Sequence, residues 1–201
     1  MVYLEFFVEE PSMERALKYL VPRILVDVDR EYEMSIITFN GKSSLLNKLP
    51  NRLKAYRHFI QPNQYLFILI DRDDEDCKNL KQQLDTIAFQ SGLITRTTNS
   101  KNYQVINRIV IEELEAWYFG DVDAIKKAYP RYNPKNPAKY RNPDEITGGT
   151  WEALERELAH YHGGGLEKIR AADEIARYMN PAINQSKSFQ VFRDALLAVF
   201  G

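Results

Sequence analysis

The chain has one cysteine, Cys77, so no internal disulfide can form and a reducing compartment, the cytoplasm, is the expected setting. No apolar run approaches the ~18 residues of a spanning helix, so no membrane role is expected. The opening MVYLEFFVEE has no basic segment and no small-residue cleavage site, so no secretory leader is expected. There is little excess of either charge. The 27 Lys and Arg stand against 28 Asp and Glu, which is not the balance of a protein dedicated to coating nucleic acid, and any basic patch must be local. Histidine is scarce: His58 stands alone, and His160 and His162 precede a glycine run with no further ligands nearby, so zinc is not expected. A content of 44% hydrophobic and 27% charged residues excludes gross disorder, and 201 residues suit one domain with a substantial core.

Three apolar runs read as buried strands: Val2 to Val8, Tyr65 to Ile70 and Val105 to Ile111. Ile36 to Phe39 and Ile24 to Val28 are shorter candidates. Helical patterns separate them at Pro11 to Leu20, Ser43 to Phe59 (with Pro50 as a break or kink) and Asp76 to Phe89. Strands alternating with helices predict a mostly parallel α/β sheet flanked by helices. Beyond Glu112 only helical patterns follow, at 113–119, 121–128, 151–160, 167–179 and 189–200. They are interrupted by a proline-rich loop from Pro130 to Pro143 and by Gly163, Gly164 and Gly165.

Acids sit where the strands end. The first runs into Glu9 and Glu10, the second into Asp71, Asp73, Asp74, Glu75 and Asp76, and the third into Glu112, Glu113 and Glu115. In parallel strands these ends share one edge of the sheet, where open α/β sheets bind ligands. Two like charges ~4 Å apart repel by roughly 4 kcal/mol at an effective dielectric near 20, and a divalent cation reverses that sign. Oxygen donors without Cys or His point to Mg²⁺ or Mn²⁺, as one ion or two. The plainer reading makes some of these acids helix caps, with Asp73 or Asp74 capping the helix that follows.

Bases keep to other segments. Met34 to Ile70 has no acid and carries Lys42, Lys48, Arg52, Lys54 and Arg57. Thr86 to Ile111 has none and carries Arg96, Lys101 and Arg108. The proline-rich loop carries Arg131, Lys135, Lys139 and Arg141 among Tyr132 and Tyr140, a pattern suited to phosphates and to stacking on unpaired bases. Lys42, Arg96, Lys101, Arg131, Lys135, Lys139 and Arg141 are therefore the expected phosphate contacts; solvated charge is the plainer alternative. Gly41-Lys42-Ser43 lacks the upstream glycine of a phosphate-binding loop and reads as a turn into a helix. Cys77 has no paired histidine, and Trp117 and Trp151 read as core anchors.

VEE followed by PSME resembles the first Toprim motif, with Glu10 in place of the usual glycine, and DRDDE from Asp71 to Glu75 resembles the Toprim DxDxE pattern. EELEAWYFGD, LEKIRAADEIARYM and SKSFQVFRDAL extend the likeness to an uncharacterised prokaryotic Toprim-like family, a domain of unknown function often encoded beside an ATPase. The resemblance implies a Toprim-like, Rossmann-like α/β core over residues 1–112 and a helical C-terminal part over 113–201 packed on it. It implies Glu9 as general acid/base or metal-associated carboxylate, Asp71 and Asp73 as central metal ligands and Glu75 as a third. Glu112 or Glu115 would serve a second metal. The expected function is metal-dependent hydrolysis of DNA or RNA, with anti-phage defence beside an ATPase partner as its setting. The alternatives are a non-catalytic subunit of an ATPase complex and, with no nucleotide pocket to support it, nucleotidyl transfer.

Overall fold

A computed structural model describes residues 1–73, 75–134, 136–161 and 165–201. Asp74, Lys135, His162, Gly163 and Gly164, all named above, lie outside the described residues. The chain divides into two compact units, one of residues 1–11, 28–109 and 200, the other of 12–27, 110–199 and 201.

The first unit holds a four-stranded, all-parallel sheet in the order β2-β1-β3-β4, with β1 Val2–Val8, β2 Tyr32–Thr38, β3 Gln64–Asp71 and β4 Val105–Val110. β1 pairs with β2 from Val2 opposite Tyr32 to Val8 opposite Thr38, and with β3 from Tyr3 opposite Gln64 to Val8 opposite Leu69. Helices α2 (Lys42–Tyr56) and α3 (Cys77–Gln90) supply Leu45, Leu49, Leu53, Leu80 and Leu84 to a core with Phe7, Leu66, Ile68 and Ile70. Pro50 lies within α2 and does not end it, because burial of the flanking leucines outweighs one missing backbone bond. Asp76 is the N-cap of α3, accepting from the backbone N–H of Lys78 at 3.0 Å and Asn79 at 2.8 Å, so this acid serves as a cap.

Two strand assignments change. The candidate at Ile24 to Val28 is the end of α1 (Pro11–Ile24) and the turn after it. The candidate at Ile36 to Phe39 is the last part of β2, which starts at Tyr32. Its first half alternates half-buried and exposed residues as an edge strand does, so the apolar signal there is weak.

The second unit is helical: most of α1 with α4 (Glu115–Phe119), α5 (Val122–Ala128), α6 (Thr150–Leu158), α7 (Lys168–Ala176) and α8 (Lys187–Leu197). No strand follows β4 among the described residues. Arg23 of α1 donates to the carbonyls of Ala176 at 3.1 Å, Met179 at 2.9 Å and Arg177, satisfying the open end of α7. Trp117 is fully buried against Phe189 and Phe192, and its indole N–H reaches Ser188 at 2.9 Å.

Candidate functional site

β1 and β3 are neighbours and parallel, so the residues that follow them emerge side by side. Glu9 and Asp71 are each only 8% exposed, and a Glu9 carboxylate oxygen (Oε2) accepts from the backbone N–H of Asp71 at 3.2 Å. Burial pushes the Glu9 carboxyl up to about 7. The Asp71 N–H opposes the shift, Asp73 adds to it, Lys42 opposes it and Glu10 adds to it. A carboxyl held near neutrality can carry a proton or release it at physiological pH.

Past Asp71 the chain turns sharply. Asp73 has φ +50°, in the left-handed region where a side chain is disfavoured. Among the described non-glycine residues only Asp73 and Glu112, at +59°, have positive φ, and both were expected on chemical grounds as site residues. Backbone strain of this kind gathers at functional sites.

The third wall comes from the β2–α2 turn. Beyond the paired strands, Phe39 N–H reaches the Val8 carbonyl at 2.9 Å and Gly41 N–H reaches the Glu9 carbonyl at 3.0 Å. Gly41 has φ 88° and ψ 168°, a conformation essentially restricted to glycine, and it delivers Lys42 as the first residue of α2. The Lys42 ammonium lies 2.7 Å from Asp73 Oδ2 and 2.9 Å from Glu75 Oε1, and donates to the Arg72 carbonyl at 3.1 Å. Burial lowers its proton affinity, but the bonds to Asp73 and Glu75 outweigh that and hold it above its ordinary value.

Glu9, Asp71, Asp73, Glu75 and Lys42 are thus brought to one crevice within the first unit. The residues that could hold a hard cation are Glu9, Asp71 and Asp73, with Glu75 beside them. Among the described residues no three Asp, Glu, His or Cys side chains already form a metal cage, because Asp73 is turned to Lys42. Glu112 and Glu115 belong to the second unit, where Glu115 opens α4 and is fully buried. Glu113 accepts from the Trp151 N–H at 2.9 Å and the Thr150 hydroxyl at 3.2 Å, so it anchors the start of α6.

The expected phosphate contacts are divided between the two units. Lys42 is engaged by acids. Arg96 is half-buried over the Tyr103 ring, and Lys101 is exposed, both in the first unit. Arg131, Lys139 and Arg141 are exposed in the second. Tyr132 and Tyr140 are buried, and Tyr140 stacks on Phe119 at 4.5 Å and donates to Glu157 at 2.6 Å. These two rings anchor the loop, and the expectation that they stack on bases is overturned. Sequence reasoning missed the grouping of Tyr65, Tyr103 and Arg108; a lone arginine inside the apolar run VINRIV was the available signal.

The fold and crevice define a class: a parallel-sheet α/β protein with acids at adjoining strand ends. A family model described as "Domain of unknown function (DUF4276)" matches residues 8–197, and the chain belongs to that family. No curated protein and no solved structure matches it.

Proposed function

We propose that the chain is a Toprim-type nuclease, hydrolysing phosphodiesters of DNA or RNA with Mg²⁺ or Mn²⁺. The observation that carries this reading is the hydrogen bond from the Asp71 backbone N–H to the Glu9 carboxylate, which ties together two buried acids at neighbouring strand ends, with Asp73 on strained backbone beside them. Oxygen donors alone suit Mg²⁺ or Mn²⁺. When bound, the cation would neutralise charge on the reacting phosphate and acidify a water.

The chain's own groups then have distinct parts. Asp71 and Asp73 are the ligands, and Glu75 supports them. Glu9 is the acid/base. Its Oε2 already accepts from Asp71, so the proton it takes up near neutrality belongs on Oε1. The Lys42 ammonium would be a phosphate contact.

The test is cleavage of single- and double-stranded DNA and RNA by the purified chain with Mg²⁺ or Mn²⁺, against EDTA. Cleavage that survives in an Asp71→Ala, Asp73→Ala double variant rejects the assigned site.

The ion pairs of Lys42 with Asp73 and Glu75 favour a second reading. There the ammonium already balances the acids, and the chain is a non-catalytic subunit of an ATPase complex. Co-purification with an ATPase encoded alongside, without nuclease activity in either form, would select it.

A further inference from the structure

Arg96 and Arg108 lie together at the edge strand of the first unit. Thr95 bridges Val105, and the Arg96 N–H reaches the Val105 carbonyl at 2.9 Å, which fixes Arg96 beside β4. The Arg96 guanidinium stands over the Tyr103 ring at 5.9 Å, and Tyr103 meets Tyr65 with ring centroids 5.7 Å apart. All four side chains are half-buried.

This cluster has too little negative charge. Among the described residues neither arginine has a carboxylate within ion-pair distance, and Arg108 Nε has no hydrogen-bond partner. The Arg108 side chain donates to the Asn107 carbonyl at 3.2 Å. Asp85, the carboxylate whose charge Arg108 feels, is taken by Lys81 at 3.3 Å and the Asn107 amide at 2.7 Å. Burial, then the neighbouring Arg96, drives the Arg108 pKa down to about 10, with Tyr103 and Asp85 opposing. Half-buried guanidinium groups that repel each other without a carboxylate are costly unless an anion joins them. From Thr86 to Ile111 the chain supplies none.

We infer that Arg96 and Arg108 clamp a phosphate of an unpaired nucleic-acid strand whose adjoining base stacks on Tyr103 and Tyr65. Guanidinium forks match phosphate oxygens, and tyrosine faces accept any base. A strand is favoured over a lone nucleotide because exposed Lys101 continues the positive charge along the same acid-free loop. Tyr65 is near the start of β3 and Asp71 at its end. At ~3.3 Å per residue the stacking end of the cluster is about 20 Å from Asp71, while Arg108 stands nearer the strand ends, two residues before the end of β4; the inference does not depend on the crevice being catalytic.

The test is fluorescence anisotropy with the full chain, EDTA and a labelled oligothymidylate of about 12 nucleotides, a length within the usual site size. Without divalent ions the result is independent of cleavage. Arg96→Gln and Tyr103→Leu should each weaken binding roughly tenfold. Arg96→Gln should also lower the slope of log affinity against log salt by about one. Arg108→Gln should match Arg96→Gln; if it does not fold by circular dichroism, the two loop variants carry the test. The inference is overturned by absence of binding to the parent chain, by unchanged binding in both loop variants, or by equally tight binding of a duplex. Competition by thymidine monophosphate at the same concentration as by oligonucleotide would assign the cluster to a free nucleotide and overturn the strand.

Discussion

A side-chain oxygen of Glu9 accepts a hydrogen bond from the main-chain N–H of Asp71, a residue 62 positions further along the chain. The bond spans the ends of β1 and β3, and it ties the Glu9 carboxylate to the main chain of a second buried acid. Glu9 is held near neutrality while Asp73 and Glu75 share the ammonium of Lys42. The crevice therefore combines an exchangeable proton with carboxylates whose counter-charge is a lysine ammonium.

Stability of the metal-free chain should depend on the Glu9 proton. Its carboxyl is raised from 4.5 to about 7, so the folded state binds the proton more tightly than the unfolded chain does. That contribution is fully present below pH ~4.5 and is lost as pH rises toward ~7, amounting to about 3 kcal/mol at most. Urea titrations in EDTA should show this decline. Glu9→Gln should flatten it; an unchanged pH dependence in that variant would count against the buried, protonated carboxyl.

Lys42→Gln separates the two readings of the crevice. If a divalent cation competes with the ammonium for Asp73, removing the ammonium should tighten Mn²⁺ binding severalfold, since a like charge a few Å away is withdrawn. Isothermal titration or Mn²⁺ spectroscopy would measure it. If the ammonium serves only structure, the variant should lose a little stability, of the order of 1 kcal/mol for partly exposed pairs, and gain no affinity.

Asp71→Asn should lower Mn²⁺ affinity at least tenfold while leaving the fold intact, because the substitution keeps the side chain's size and removes its charge. Thermal unfolding with and without Mn²⁺ would report it. A stabilisation by Mn²⁺ as large as in the parent chain would remove Asp71 from the ligand set.

Gly41→Ala isolates a backbone effect. A Cβ there meets no atom within 4 Å, yet φ 88° with ψ 168° is unfavourable for alanine. A loss of about 1–3 kcal/mol is expected from conformation alone. Because Gly41 aims Lys42, the same variant should alter Mn²⁺ affinity, which denaturation and titration would measure together.

Much of the fold was legible along the chain. β1 begins and ends where its apolar run does, β3 extends one residue beyond its run at each end, and β4 stops one residue short. Continuous β-branched and aromatic runs are strong signals because both faces of such strands are covered. β2 was only half legible, since an edge strand alternates and its polar positions resemble a loop. The candidate site was legible as acids at strand ends, but not as the pairing of Lys42 with Asp73 and Glu75. Nothing local links a lysine at the start of α2 to acids some thirty residues on. Tyr132 and Tyr140 misled for the same reason: among basic residues they read as binding groups, and their burial depends on partners such as Phe119 and Glu157.

The sequence by itself determined the alternation of strands and helices, the parallel sheet and the loading of strand ends with acid, because these rest on side-chain periodicity and neighbouring residues. Only the tertiary structure decided which acids touch, which merely cap helices, and which cations are left without a carboxylate. Charge pairing and burial are set by residues distant in the chain that strand order and turn geometry bring within a few Å.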